Sequence, residues 1–297
     1  MSEEAIRYDA SHIKVLEGWE AIRKRPGMYV GSTGERGLHQ LVFEVACRAV
    51  NEVLAGRASS VDVALTPDGG LRVADDGPGV PVEATAGDTG GPGLEALLTR
   101  MHAGAGPGGR QAAEMSLFGT GPCVTNALSS RLTAEVCREG VRWVQEYARG
   151  VALTPPTAVG PATGSGTTIA FWPDTDIFGT AECSFAVLAE HFRQLAFLNQ
   201  GLSISLTDER PPGGSRPLRF QFPGGVRDFV AFLDTPAGAA EFVQRCCPRT
   251  RATAASTSPT GWPTGPLPPG RVPQRGSPAG RDSRPLPERA RHRHVRS

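Results

Sequence analysis

Residues 38–81 decide the fold, running from LHQLVFEVACRAVNEVL at 38–54 to DDGPGVP at 75–81. In the first part, apolar side chains recur at three- and four-residue steps, which predicts an amphipathic helix. The sequence VDVALT-PDGG-LRVAD follows, and its alternation around a PDGG turn predicts a two-stranded hairpin. A glycine-punctuated acidic loop comes next. We expect the helix and this loop to form two walls of one ligand pocket.

The charged residues of this stretch indicate where a ligand would bind. Glu44, Arg48 and Glu52 share a second stripe of the helix, at a spacing that lets opposite charges pair. Asp75 is in phase with the core-facing residues of its strand, where a carboxylate is costly unless something donates a hydrogen bond to it. Asp76 points to the other face, and we expect it to meet water. The alternative interpretation of DDGPG is an ordinary Asp-Gly turn.

Six separated blocks of the chain carry a wider pattern. They are YDASHIKVLEGWEAIRKRPGMYVGST (8–33), GLHQLVFEV (37–45), ADDGPGVP (74–81), VTNALS (124–129), SGTTIAFWPD (165–174) and FLNQGLSISLTDER (197–210). In this order the blocks resemble the ATPase region of the gyrase B family, which consists of type II topoisomerases of the GHKL ATPase superfamily. The resemblance covers about residues 6–235.

The resemblance implies an α/β fold, the GHKL (Bergerat-type) ATPase sandwich, in which a mixed β-sheet packs against helices. It divides the chain into an N-terminal arm (1–15), an ATPase domain (16–240) and a disordered Pro/Arg-rich tail (241–297). The residue pattern agrees with a folded domain at 16–240, since it predicts strands within 132–172 and a helix at 184–199. It also predicts a strand at LSISLTDER and a short helix at GGVRDFVAFL.

By the resemblance, the pocket binds ATP. Glu44 is then the general base that polarises the attacking water, and Asp75 accepts the adenine amino group. The remaining ATP-binding positions match Gly77, Gly79, Gly119, Gly121, Thr167 and Tyr8. With these residues present, we expect base recognition to be intact.

Four of these positions have a simpler interpretation from the residues alone. Tyr8 matches a tyrosine that, in the family, reaches across a dimer to the partner's nucleotide, but an aromatic residue on a surface arm is the alternative. Gly119 and Gly121 match glycines of a lid over the phosphates, although many glycine-rich loops are only flexible. A strand threonine such as Thr167 is often present for its β-propensity alone.

The phosphate end departs from the family pattern. The family asparagine that holds Mg²⁺ is Arg48 here, and an arginine cannot ligate a cation. Arg48 then has two interpretations: it pairs with Glu44 one turn away, or it contacts the triphosphate and partly replaces the metal's charge. Mg²⁺ is expected for the family, but no metal ligand is predicted here, so we expect slow or absent hydrolysis. Other family positions have also changed, namely Cys47, Pro78, Met115, Ser116, Phe118 and Val144.

Composition limits the remaining possibilities. The chain has 297 residues and a net charge of +1, which leaves room for one or two domains. It has no apolar run long enough for a bilayer, no signal-peptide pattern, and no CxxC pair among its six cysteines. We therefore expect reduced thiols in a cytoplasmic protein without membrane contact. By resemblance, its partners are ATP, a second copy bound through the arm, the gyrase A subunit and DNA.

From about Cys246 onward the composition becomes rich in proline and arginine, which predicts disorder. The basic end RARHRHVRS could contact nucleic-acid phosphates. The alternative is that the tail is an out-of-frame translation of a GC-rich gene.

Three classes of function stay open for the chain as a whole. It is an ATP-hydrolysing topoisomerase fragment, a catalytically impaired nucleotide-binding paralogue with an interaction or regulatory role, or a decayed gene product. The recognisable blocks stop before the family's second domain and its DNA-cleavage domain. For that reason we expect that this chain does not cleave or pass DNA by itself.

Overall fold

The computed structural model describes residue 16 and residues 18–83, 93–101, 103, 120–211 and 215–235. The helices in these residues are α1 (Gly18–Lys24), α2 (Gly27–Val30), α3 (Glu35–Leu54), α4 (Leu94–Thr99), α5 (Cys123–Ala127), α6 (Thr175–Phe178), α7 (Phe185–Leu198) and α8 (Val226–Leu233). The strands are β1 (Val61–Leu65), β2 (Leu71–Asp75), β3 (Ser129–Arg138), β4 (Val141–Ala148), β5 (Val151–Ala152), β6 (Thr157–Pro161), β7 (Gly166–Pro173), β8 (Ser203–Asp208) and β9 (Arg216–Gln221).

Within the described residues, the nine strands form one mixed sheet. Their order is β5-β4-β3-β7-β2-β1-β8-β9, and β6 pairs with β4. The β1–β8 pair is parallel, and the other pairs are antiparallel. The hairpin predicted around PDGG therefore lies in the middle of the sheet, with β7 on one side and β8 on the other. This arrangement places the end of β2 in the interior.

Helix α3 covers the centre of the sheet, where it packs against β1 and β2. Its predicted apolar stripe is buried, and Leu41, Val42 and Val50 are fully buried. Each such aliphatic side chain contributes about 1.5–3 kcal/mol relative to exposure. The predicted helix and hairpin are confirmed. Because α3 is held along this stripe, its polar residues are fixed relative to the end of β2.

The other predicted elements are also present. The β3–β4 hairpin and β7 occupy the segment predicted to form strands, and α7 begins after Ser184, whose side chain accepts a hydrogen bond from the Val187 N–H. Strands β5 and β6 lie within the segment predicted to form strands, but the sequence does not mark them individually, and β9 is not predicted. Strand β9 lies at a sheet edge with most of its side chains exposed, so it lacks the apolar alternation that reveals a strand.

Several parts of the sequence analysis lie outside the described residues. These are the arm with Tyr8, the lid with Gly119, and the tail (241–297). Within the described ranges, none of the helices combines the length and apolar character needed to cross a bilayer. Cys123, Cys137 and Cys183 are free thiols.

Asp174 ties the first helix to the end of β7. Its buried carboxylate accepts hydrogen bonds from Arg23 Nη2 at 2.7 Å and from the Asp176 N–H at 3.1 Å, and Arg149 Nε lies 3.0 Å from it. Burial alone would raise the pKa of Asp174, but the hydrogen bonds from Arg23 and Asp176 outweigh it, and the pKa is lowered. The ionised form of this carboxyl group therefore stabilises the fold.

Replacing Asp174 with Asn should lower the free energy of unfolding by about 2 kcal/mol at neutral pH, because Arg23 loses a charge-assisted hydrogen bond. A folded pKa below the unfolded one gives stability that is present above the unfolded pKa of about 3.9 and is lost as the pH falls through the folded pKa. Urea unfolding should therefore show the wild type and the variant converging in strongly acidic buffer. Asp176→Asn, at a carboxylate that is 69% exposed, is the control and should change stability little. A difference that grows as the pH falls would contradict this account.

Candidate functional site

The sheet register brings Asp75 and Thr167 together. Strands β2 and β7 run antiparallel with Asp75 directly opposite Thr167, so their side chains share the helix-covered face. Counted over the whole residue, Asp75 is 7% exposed and Thr167 is 1% exposed. The Val80 N–H donates to Thr167 Oγ1 at 3.1 Å, which ties the loop after β2 to the same threonine. Two of the predicted site residues are thus neighbours in the interior.

Arg48 reaches both of them from α3. Its Nη1 donates to Asp75 Oδ2 at 2.5 Å, and its Nη2 donates to Thr167 Oγ1 at 3.0 Å. The Arg48 side chain is only 12% exposed and that of Asp75 only 1%, so this is a largely desolvated ion pair. Arg48 therefore lies at the end of the pocket that the resemblance assigns to adenine.

Of the two interpretations of Arg48, the pairing with Glu44 is wrong, because Arg48 pairs with Asp75 and Glu44 has other donors. Glu44 is 1% exposed, its Oε1 accepts from Gln40 Nε2 at 3.0 Å, and its Oε2 accepts from the Gly121 N–H at 3.1 Å. Glu52, the other glutamate of the stripe, pairs instead with Arg57 at 2.8 Å. Arg48 instead meets the buried carboxylate of Asp75, which would be costly to ionise without a donor.

Glu44 and Gly121 define the other end of the site. The backbone N–H of Gly121, just before α5, is held against the carboxylate of the predicted general base. Cys123 lies in the same region, where burial and the charge of Glu44 raise the pKa of its thiol to about 12. That thiol stays protonated at neutral pH, so Glu44 is the group of this pair that could accept a proton.

The loop after β2 needs its glycines for close approach. The Gly77 N–H donates to Asp75 Oδ1 at 3.1 Å, and a Cβ on Gly77 would lie 2.8 Å from that oxygen. Gly79 has φ +77°, and a Cβ there would lie 2.7 Å from the carbonyl oxygen of Cys137. Arg138 Nη1 donates to the Gly79 carbonyl at 3.0 Å. The loop is thus fastened to β3 and β7.

Asp76 faces away from the site, as expected, but it bonds to protein as well as meeting water. Its carboxylate accepts from the Ser59 and Ser60 backbone N–H groups at 2.7 and 3.0 Å and from both hydroxyls. Partial burial acts to raise its pKa, but the hydrogen bonds from Ser59 and Ser60 outweigh burial and lower it to about 2. Asp76 therefore anchors the start of β1 to the end of β2, and it is not a ligand group.

The residues around Glu44 do not suit Mg²⁺. A guanidinium has no lone pair to give a metal, and that of Arg48 is already bound to Asp75. Cys47 presents a buried thiol that accepts from Asn51 Nδ2 at 3.8 Å, whereas Mg²⁺ prefers oxygen ligands. In the part of the chain that the structure describes, no group of three or more His, Cys, Asp or Glu side chains could hold a metal ion.

Comparison with known proteins agrees with this fold. The chain is 45% identical over 247 residues to the gyrase B protein of Streptomyces coelicolor, covering 78% of this chain and 36% of the relative. It is 49% identical over 204 residues to the gyrase B protein of Mycolicibacterium smegmatis, covering 68% and 30%. The crystal structure of the 43K ATPase domain of Thermus thermophilus gyrase B, in complex with an aminocoumarin, matches with TM-score 0.63 and 34% identity, covering 74% of this chain and 56% of that one. No family model matches the chain.

These similarities define the class of protein to which the chain belongs. The fold is the GHKL-type ATPase sandwich, α/β with a mixed sheet packed against helices, as the sequence predicted. Within that class the chain is a homologue of DNA gyrase B over the ATPase region. The chain spans about a third of the length of the curated relatives it matches.

Gly79→Ala should destabilise the protein by about 1–3 kcal/mol more than Gly140→Ala, because its Cβ must displace β3. The two glycines have nearly the same φ, +77° and +76°, but a Cβ on Gly140 would meet nothing within 4 Å. The pair therefore separates steric overlap from backbone strain. Denaturant unfolding measures both variants, and equal losses would contradict the close approach at Gly79.

Proposed function

We propose that the described domain binds ATP as a gyrase B-type nucleotide-binding domain and hydrolyses it slowly or not at all. One observation carries the proposal: Arg48, at the position of the family's Mg²⁺-binding asparagine, is bound to Asp75 and Thr167. A cation there cannot ligate Mg²⁺, and it must give up its present acceptors before adenine can use them.

Parts of the hydrolytic machinery are retained. Glu44 is buried, and hydrogen bonds from Gln40 and Gly121 fix its carboxylate, so a general base is positioned at the phosphate end of the proposed pocket. At the other end, Asp75 and Thr167 supply the acceptors that the proposal assigns to adenine recognition. Among the departures from the family pattern, the proposal assigns the main defect to the charge at Arg48, and a simple substitution can test it.

The activity and partners of the longer relatives are proposals for this chain. Topoisomerase activity, contact with a gyrase A subunit and DNA, and a homodimer through the arm with Tyr8 all rest on similarity. The second candidate is a catalytically inactive paralogue with a regulatory or interaction role. The Arg48–Asp75 ion pair favours this candidate, because it stabilises the pocket without a ligand.

Arg48→Asn should raise the steady-state ATP turnover of the full chain by about tenfold or more, which corresponds to roughly 1.4 kcal/mol of transition-state stabilisation. The expected gain comes from removing a cation from the position of a metal ligand. A phosphate-release assay with Mg²⁺ measures it, with Arg57→Asn as the matched control, since Arg57 forms an exposed ion pair with α3 outside the site.

Two results would contradict this proposal. One is wild-type turnover that already equals that of the Arg48→Asn variant. The other is an increase that survives the further change Glu44→Gln, because the proposed general base would then be dispensable.

Asp75→Asn, made in the Arg48→Asn background, should weaken ATP binding by about 10- to 100-fold, because an ionised acceptor for the adenine amino group is lost. The background is needed because Asp75→Asn alone also removes the partner of Arg48. Calorimetric titration with a non-hydrolysable ATP analogue measures the change. Unchanged affinity would show that Asp75 does not recognise the base.

A further inference from the structure

We propose that Arg48 makes this site selective for the phosphates of its ligand, because its guanidinium leaves Asp75 and Thr167 only when phosphate oxygens replace them. The inference rests on the proposed function and names a specificity-determining residue for the same site. The phosphate groups are then the part of the ligand that the site selects. The base contributes less to the binding affinity than its buried contacts with the site suggest.

The first step concerns Asp75, whose two oxygens are both in use. Oδ2 accepts from Arg48 and Oδ1 accepts from the Gly77 N–H. Each oxygen can accept more than one hydrogen bond, but the guanidinium lies against both Asp75 Oδ2 and Thr167 Oγ1, so a purine amino group can take that position only if the guanidinium moves away. Binding of the base is therefore an exchange of donors at one carboxylate, and the new donor is neutral where the old one was charged.

The second step concerns Arg48 itself. A nucleoside without phosphates gives Asp75 a new hydrogen bond but leaves the guanidinium without an anionic partner. The Arg48 side chain is 12% exposed, so it gives up a largely desolvated ion pair in this exchange. A buried charge that loses its partner is costly, and the nucleoside offers nothing that compensates.

The third step concerns where Arg48 can go. Its backbone lies one helical turn after Glu44 on α3, and Glu44 is bonded to Gly121 at the end of the site that the proposed function assigns to phosphates. Its flexible stem can therefore turn from Asp75 toward that end. A guanidinium binds phosphate oxygens through paired hydrogen bonds, and it supplies there the positive charge that Mg²⁺ would otherwise bring.

The test compares adenosine with a non-hydrolysable ATP analogue by calorimetry on the full 297-residue chain, in EDTA. In the wild type and in Arg57→Asn, the analogue should bind far more tightly than adenosine. In Arg48→Asn this preference should shrink by about 10- to 100-fold, mainly because adenosine binds better and the triphosphate loses a cation. The same preference in Arg48→Asn and the wild type would overturn the inference and leave the proposed function standing.

A different result separates the two proposals. Suppose that the wild type and Arg48→Asn both unfold cooperatively, but neither protein binds adenosine or the ATP analogue. In that case the proposed function fails, and the inference fails with it. A second measurement needs no variant: the wild type should bind the analogue with nearly equal affinity in Mg²⁺ and in EDTA, because Arg48 supplies the cation. A loss of about tenfold or more in EDTA would overturn the inference even if Arg48→Asn did not fold.

Discussion

The carboxylate of Asp75 needs a positive partner, and the rest of the site follows from that need. Strand β2 ends in the interior of the sheet, so the last side chain in its core-facing phase is shielded from water. An ionised group there is costly unless donors surround it. Gly77 supplies one N–H, and Arg48 supplies a charged one that also holds Thr167 on the neighbouring strand. One side chain thus links the helix to two strands.

The same contact explains why the two ends of the pocket have different chemistry. At one end of the proposed pocket, the Glu44 carboxylate is fixed by hydrogen bonds from Gln40 and from the backbone at Gly121. At the other end, Arg48 balances the charge of Asp75 and also donates a hydrogen bond to Thr167. Because Arg48 and Glu44 both lie on α3, a change at one helix position would alter the distribution of charge over the whole proposed pocket.

Much of this fold could be predicted from residue pattern, and the central contact could not. The stripe of α3 and the alternation of β1, β2 and β7 are strong local signals, whereas the exposed edge strand β9 carries none. The strand phase marks Asp75 as a buried acid in need of a donor, but helical spacing alone pairs Arg48 with the nearby Glu44. The true partners of Arg48 depend on the register between β2 and β7, which joins distant parts of the chain. The contact could have been predicted by pairing the buried acid Asp75 with the inward-facing cation Arg48.

The most direct test of the central contact is the coupling free energy between Arg48 and Asp75. A double-mutant cycle measures this coupling free energy from the urea unfolding of four proteins: the wild type, Arg48→Asn, Asp75→Asn and the double variant. An ion pair in this largely desolvated position should give a coupling of about 1.5–3 kcal/mol. Additive effects, within about 0.5 kcal/mol, would contradict the account, because the two side chains would then not depend on each other.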